Sequence, residues 1–293
     1  MVDVLPATSP EHAIIVSSTE MSTGEQSNVS TLGYSTQQLD QLKLACEETA
    51  HVLSHQLGAE CRLLIRPPYV IAGDLDQQIL TKYHSEIVQP VEHALYQSLF
   101  RQRTEKPITI LIFSSDNVYQ RYADTLDGRN TANYYGYFER DQRRVVMNRQ
   151  TGDGTLIHEL THAFIQADFP QLPVWFDEGL ATLYEESDFA EGRAGLTGLP
   201  NWRLKTLQEG KRNGNLQTLE KLIASNGLRS RYQSLDYAHA RYFCLYLQEQ
   251  RLLSACYRSL RGTHLSDPQG IATLRASAKK KASLKLRKIF CDG

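Results

Sequence analysis

Two histidines spaced four residues apart, His158 and His162, enclose a glutamate in the segment 158–162, which reads HELTH. Because residues i and i+4 lie on one face of a helix, both imidazoles can offer a nitrogen to one metal ion. Glu159 lies beside the pair and can accept a proton from a metal-bound water. Glu178 follows at short range as a third candidate ligand. Two histidines, one glutamate and a water form the open tetrahedral site of a catalytic zinc.

The motif must lie on a helix for this chemistry, and its surroundings predict one. Apolar residues at helical spacing indicate a helix over residues 155–167, with Asp153 or Thr155 as its N-cap. A second predicted helix, over residues 176–186, carries Glu178 near its N-terminus, so a tight return between the two helices would bring this carboxylate to the histidines. The alternative, in which both histidines are ordinary surface residues of a helix, does not account for this context.

Two segments around these residues resemble a known family. Residues 158–164 read HELTHAF, and residues 172–185 read LPVWFDEGLATLYE. They are similar to the gluzincin metallopeptidases of the peptidase MA clan, above all to compact peptidase MA-like domains with the pattern HELTHA…PxWxxEGLAxxxE. The resemblance implies an α+β, zincin-like fold, in which a small mixed sheet has an edge strand beside the active-site helix and the C-terminal half is mainly helical.

The resemblance also implies a zinc metallopeptidase, a hydrolase that binds one Zn²⁺ per chain and acts on a peptide or protein substrate. The ligands would be His158, His162 and Glu178, with Glu159 as the general base. Asp177 stands where several relatives have another polar residue, and it would influence the metal ligands as their neighbour. The Gly-x-Met-Glu-Asn type of segment, with which aminopeptidases of the clan hold a substrate amine, is missing. This absence favours an endopeptidase or a specialised processing enzyme.

A hydrolytic site also needs a hydrogen-bond donor that stabilises the oxyanion of the tetrahedral intermediate. The segment 235–242 contains the candidates for this donor. Related gluzincins supply a Tyr or His from a later helix at a comparable place. Tyr237 is the first choice, followed by His239 and Tyr242. The alternative is that these side chains belong to the core or the surface of an amphipathic helix. Thr182 could bond a ligand, but a helical threonine commonly bonds its own backbone instead.

Two other functions stay open from the sequence. The first is a metal-bearing binding or scaffold domain without turnover, and the presence of Glu159 argues against it. The second is an anion-binding protein that uses the basic stretch from Arg275 to Lys288. The solvated face of a terminal helix is the preferred interpretation of that stretch, and no nucleic-acid partner is expected.

Composition sets the broad class of the protein. The chain has 293 residues, 41% hydrophobic content and a formal net charge of −1, which allows a substantial core and gives no general attraction to nucleic acid or membrane. No apolar run approaches about eighteen residues and no basic-plus-apolar leader is seen, so a cytoplasmic protein without a spanning helix is expected. The five cysteines form no CxxC pair and are expected to be free thiols, with a Cys46–Cys61 disulfide as the alternative.

The remaining patterns predict how the chain is organised. Residues 1–34 indicate a disordered acidic arm, and residues 35–293 one peptidase unit with an α+β half (35–186) and a mainly helical half (187–293). Ser35 to Gln38 resembles a capping box and predicts the start of a helix that runs to Gly58. The other predicted elements are extended segments 62–66 and 69–72, a helix 76–103 kinked or divided at Pro90, a strand 108–113, a β-hairpin 133–138/144–148, a loop 188–200, and helices near 202–208, 216–224, 237–249 and 252–261.

Overall fold

The computed structural model describes residues 33–131, 134–189, 195–225, 228 and 233–276. Within them the protein is mixed α+β, with a small mixed sheet and a mainly helical second half, as predicted. The predicted N-terminal arm lies almost wholly outside the described residues, and so does the chain after residue 276, which holds most of the basic stretch. None of the described helices combines the length and the apolar character needed to span a membrane.

The first half of the chain alternates helices and strands. Its elements in order are α1 (Thr36–Leu57), β1 (Arg62–Arg66), β2 (Tyr69–Gly73), α2 (Gln77–Lys82), a π-helical segment (Tyr83–Val88), α3 (Gln89–Ser98), β3 (Ile108–Phe113), α4 (Asp116–Asp127), β4 (Gly136–Glu139) and β5 (Arg144–Asn148). A 3-10 turn (Arg149–Thr151) then leads into α5 (Asp153–Asp168), which carries the HELTH motif.

The second half is mainly helical. Its elements are α6 (Val174–Tyr184), β6 (Ser187–Phe189), β7 (Leu196–Gly198), α7 (Arg203–Arg212), α8 (Leu219–Ala224), α9 (Gln233–Glu249) and α10 (Leu253–Thr263). The segment 188–200 therefore includes strands of a two-stranded antiparallel sheet, where the sequence predicted only a loop. The side-chain amide of Gln248 bonds both the N–H and the C=O of Gly198, at 2.9 and 3.0 Å, and so fixes β7 against α9.

Five strands form the main sheet, in the order β1-β2-β3-β5-β4. The inner strands β2, β3 and β5 are parallel, whereas β1 and β4 pair antiparallel at the two edges. Alternate residues face opposite layers, as strand geometry requires. Ile110 and Val145 pack in the core that includes α3 and α5, while Leu111 and Val146 pack in the core that includes α1 and α4. Helices therefore cover both faces of the sheet. The chain passes from β5 through the 3-10 turn to the start of α5.

The helix predicted over residues 76–103 continues from Gln77 to Ser98 with helical backbone at both internal junctions, and it changes its winding near the proline that was expected to kink or divide it. A π-helical segment, Tyr83–Val88, directly precedes the first turn of α3, which holds Pro90 and its missing backbone N–H. The helix ends earlier than predicted. The N–H groups of Arg101 and Gln102 donate instead to the buried carboxylate of Asp168, at 2.9 and 2.6 Å.

The predicted capping box at the start of α1 is confirmed. The N–H of Gln38 donates to the Ser35 hydroxyl at 3.3 Å, and the Gln38 side chain accepts from the Ser35 N–H at 3.0 Å. The helix ends before Gly58, whose φ of 76° suits glycine.

The four cysteines in the described part of the chain are buried free thiols, as expected: Cys46, Cys61, Cys244 and Cys256. The alternative of a Cys46–Cys61 disulfide is therefore wrong for this structure. The Cys61 thiol lies 3.5 Å from the hydroxyl of Tyr122 instead.

Candidate metal centre

The helix that carries the histidines forms where the sequence predicts it, but it begins differently. Its N-cap is Gly152, with φ of 89° and no side-chain cap, so the prediction of Asp153 or Thr155 as N-cap is wrong. The physical reason lies in the packing of its first turn. A Cβ on Gly154 would lie 2.2 Å from the carbonyl oxygen of Glu185, so the start of α5 packs directly against the end of α6. This close approach brings the His158 side of α5 to Glu185.

The helix that carries Glu178 begins after Pro173 and is fixed by its packing on α9. Trp175 and Phe176 are fully buried and stack with ring centroids 4.9 Å apart. A Cβ on Gly179 would lie 2.6 Å from the Cys244 sulfur, so α6 and α9 approach each other closely at this glycine. Glu178 therefore lies between α5 on one side and α9 on the other.

The three predicted ligands come together. The Nε2 atoms of His158 and His162 are 3.2 Å apart, and Oε2 of Glu178 lies 3.8 and 3.5 Å from them. Ligand atoms bound tetrahedrally to zinc at about 2.0–2.1 Å stand about 3.4 Å apart, a value that these three distances bracket. The donor set therefore fits a single tetrahedral ion. Within the described residues, no other group of at least three His, Cys, Asp or Glu side chains converges in this way.

Asp177 fixes one of the two imidazoles. Its Oδ1 lies 2.7 Å from Nδ1 of His162, so a proton on Nδ1 leaves the Nε2 lone pair directed toward the cluster. The other carboxylate oxygen accepts a hydrogen bond of 2.5 Å from Arg140, in the turn between β4 and β5. The influence that the sequence assigned to Asp177 thus has a geometric basis, whereas Arg140 carried no signal in the sequence.

Glu185 has the matching position beside His158. Its Oε2 lies 3.4 Å from Nδ1 of His158, and its Oε1 accepts hydrogen bonds from Arg203 at 2.8 Å and from Asn201 at 3.0 Å. Burial opposes the negative charge, but the hydrogen bonds of His158 and Arg203 hold the pKa of Glu185 at about 2. No role was predicted for Glu185 from the sequence. Its position seven residues after Glu178, on the same face of α6, was the available signal.

The charges of the cluster favour a cation at its centre. Burial opposes a charge on His162, but Asp177 and Glu178 outweigh it and raise the pKa of this imidazole well above its usual value. Burial likewise acts to raise the pKa values of both carboxyl groups, yet His162 lowers them overall. The carboxylates therefore stay ionised and prepare a site that attracts positive charge.

Glu159 lies next to the cluster and faces the same cleft. The side chain is buried, and the loss of hydration raises its pKa, against the opposing effect of the two histidines. A carboxylate with a raised pKa is a stronger proton acceptor than an exposed one, which suits a general base. The cleft beside it has a volume of about 860 Å³, and His158, Glu159 and Tyr237 all line it.

Of the three candidates for an oxyanion donor, only Tyr237 lines the cleft. Burial, and then the charge and hydrogen bond of Glu178, raise the pKa of its phenol. His239 does not line the cleft, and the hydroxyl of Tyr242 is occupied with the backbone N–H and C=O of Asn201, both at 3.1 Å. Thr182 bonds the carbonyl of Glu178, its own helix backbone, at 2.6 Å, as expected of a helical threonine.

The edge strand β4 lies beside α5 and lines one wall of the cleft at Gly136. The N–H of Asn148 donates to the carbonyl of Tyr135 at 3.1 Å, which sets the alternation of the antiparallel ladder. By this alternation the N–H and C=O groups of Gly136 and Phe138 point away from β5, toward the open edge. Among the described residues no other strand pairs with this edge, so a row of outward-facing backbone donors and acceptors runs beside the metal cluster.

Comparison with known proteins adds no assignment to this geometry. The chain matches no protein-family model, and a search of the curated proteins found no match.

Proposed function

We propose that the protein is a zinc-dependent peptidase with a zincin-like fold. The observation that carries the proposal is the convergence of His158, His162 and Glu178 at the distances of a tetrahedral site, with Glu159 beside them at an open cleft. When bound, Zn²⁺ would polarise the scissile carbonyl and lower the pKa of a water molecule. The open fourth position of a three-ligand site is what this chemistry requires.

The side chains of the cleft supply the proton transfers. Glu159 accepts a proton from the attacking water and delivers it to the amine that leaves. Tyr237 donates a hydrogen bond to the carbonyl oxygen as that atom gains negative charge. The raised pKa of Tyr237 keeps the phenol protonated, and therefore a donor, at neutral pH.

The sheet edge supplies a place for the substrate backbone. An extended peptide can pair with the outward-facing N–H and C=O groups of Gly136 and Phe138 as an added strand. This mode of binding recognises the main chain and therefore suits an endopeptidase. A peptide-binding domain without turnover would use the same edge, but it would give the buried carboxylate of Glu159 no role.

Metal analysis combined with hydrolysis of an unfolded protein substrate tests the proposal. We expect about one zinc per chain, loss of hydrolysis on treatment with a chelator, and recovery on adding zinc back. A protein that binds no zinc, or one that hydrolyses peptides equally well after chelation, would contradict it.

A further inference from the structure

Exposed aromatic side chains are concentrated at the cleft. Tyr134, Tyr135 and Trp202 are 59%, 72% and 65% exposed, and all three line the cavity beside the metal cluster. In the described part of the chain, Tyr246 is the other aromatic residue of comparable exposure, at 51%, and it lies outside this cavity. Exposure of large aromatic rings to water is unfavourable unless they contact an apolar partner. Their clustering at the cleft therefore indicates a binding surface.

Trp202 is held in place before any ligand arrives. The guanidinium of Arg203 lies 4.3 Å from the centroid of the Trp202 ring and 5.8 Å from that of Tyr237. Two hydrogen bonds from Arg203 to Glu185, at 2.8 and 3.3 Å, fix the guanidinium in turn. The indole therefore has one face against a fixed cation and keeps most of its surface open, which lowers the entropy lost when a ligand stacks on it.

Tyr134 and Tyr135 stand at the start of the edge strand, on the side of the cleft that β4 forms. The carbonyl of Tyr135 accepts the hydrogen bond of Asn148, so its backbone continues the ladder of the sheet. A peptide that pairs with Gly136 and Phe138 would thus pass beside these tyrosines. Its alternate side chains would project from the added strand into the cavity that the three aromatic residues share.

We infer that Trp202, Tyr134 and Tyr135 form an aromatic subsite that takes a large apolar side chain, aromatic above all, from an extended peptide segment next to the scissile bond. The inference rests on the proposed function for the position of the scissile bond, whereas the binding that it describes does not require hydrolysis. Aromatic pairs add to affinity beyond the burial of area, by a factor of about two to ten. The subsite therefore selects substrates that expose phenylalanine, tyrosine or tryptophan, as unfolded or extended segments do.

The two tryptophans of the chain allow a direct test of binding. Trp175 is fully buried and Trp202 is 65% exposed, so acrylamide quenching of the fluorescence reports mainly on Trp202. The probes are an acetylated, amidated hexapeptide with one central phenylalanine and its twin with alanine at that position. They are titrated into Glu159→Gln, which is expected not to cleave them. We expect the phenylalanine peptide to protect Trp202 from quenching and to bind about two to ten times more tightly than its twin.

Matched variants separate the subsite from a general effect on the fold. Trp202→Ala in the Glu159→Gln background should reduce the affinity for a fluorophore-labelled phenylalanine peptide to that for the alanine twin, measured by anisotropy. Tyr246→Ala, which removes an exposed aromatic outside the cleft, should leave both affinities unchanged. Equal affinities of the two peptides, or quenching of Trp202 that does not change at saturation, would overturn the inference.

The same peptides distinguish failure of the subsite from failure of the proposed function. If wild-type protein cleaves both peptides at the same kcat/KM, the inferred subsite is contradicted and the proposed peptidase function is supported. If the phenylalanine peptide binds selectively at Trp202 and neither peptide is cleaved with zinc present, the inferred subsite is supported and the proposed peptidase function is contradicted.

Discussion

Asp177 forms a hydrogen bond of 2.7 Å with Nδ1 of His162, while the next residue, Glu178, lies 3.5 Å from Nε2 of the same ring. Two consecutive carboxylates thus contact the two nitrogens of one imidazole. This is possible because consecutive residues of a helix differ by about 100° in direction around its axis, so the two side chains reach different edges of the ring. The Asp177 contact fixes the tautomer of His162, and the adjacent Glu178 provides the third ligand.

Replacing Asp177 by asparagine should weaken zinc binding. The amide keeps the shape but loses the charge that stabilises the His162 N–H, and such changes typically cost about 10- to 100-fold in metal affinity. Competition with a chromophoric chelator measures the affinity. Asp124→Asn, an exposed residue on α4, is the matched control and should bind zinc as the wild type does. An unchanged affinity in Asp177→Asn would show that this contact does not support the site.

Glu185→Gln should also weaken zinc binding, but by less than Asp177→Asn. The contact from Glu185 to His158 is 3.4 Å, whereas that from Asp177 to His162 is 2.7 Å, and the shorter bond orients its ring more strongly. The adjacent residue Glu186 is exposed, so Glu186→Gln is a close control. The same competition assay ranks the three variants. A larger loss in Glu186→Gln than in Glu185→Gln would contradict the geometry.

The sequence predicted the ligand cluster better than it predicted the groups that support it. Helical periodicity and the spacing of His158 and His162 were enough to place both rings on one face, and Glu178 followed from the short return between two helices. Arg140 and Arg203 escaped prediction because they reach the site from the turn between β4 and β5 and from the first residue of α7. Their proximity to Asp177 and Glu185 depends on how separate elements pack.

Local capping rules failed at α5 for a related reason. Asp153 and Thr155 are favourable N-cap types, yet the helix starts at Gly152 because Gly154 has to meet the backbone of Glu185. Tertiary contact overrode local preference at the point where two helices are brought together. At α1, where no such contact intervenes, the capping box at Ser35 was predicted correctly.

Asp168 should be important for stability and unrelated to zinc. Its buried carboxylate accepts hydrogen bonds from the backbone of Arg101 and Gln102, from Tyr257 at 2.7 Å and from Arg261 at 2.8 Å. Asp168→Ala leaves these donors without a partner in a buried place, so we expect a loss of about 3–5 kcal/mol in the free energy of unfolding. Urea denaturation measures it.

The control for that measurement is Asp124→Ala, in which an exposed carboxylate is removed. This variant should unfold within about 0.5 kcal/mol of the wild type. A loss below about 1 kcal/mol in Asp168→Ala would mean that water satisfies the four donors, contrary to the burial of this carboxylate.

His84 should make the fold sensitive to acid. Burial, assisted by the charge of Arg66, lowers the pKa of His84 to about 4, whereas an unfolded histidine titrates near about 6.5. As the pH falls, the unfolded state therefore binds a proton at this histidine before the folded state does. The contribution of neutral His84 to stability is fully present above about pH 6.5 and is lost progressively as the pH falls toward 4.

His84→Gln should accordingly flatten the dependence of unfolding free energy on pH between about 6.5 and 4. Urea denaturation at several pH values within this window gives the slope. His93→Gln, an exposed histidine on α3, is the control and should leave the slope unchanged. If both variants keep the slope of the wild type, His84 is not the group responsible.

The most direct test of the proposed chemistry is Glu159→Gln. The amide occupies the same space but cannot take a proton from water, while the ligands His158, His162 and Glu178 stay intact. We predict that the variant retains zinc at the wild-type stoichiometry and loses hydrolysis of an unfolded protein substrate by a factor of about 10² to 10⁴. Full activity in Glu159→Gln would contradict the central claim that this glutamate is the general base of a zinc peptidase.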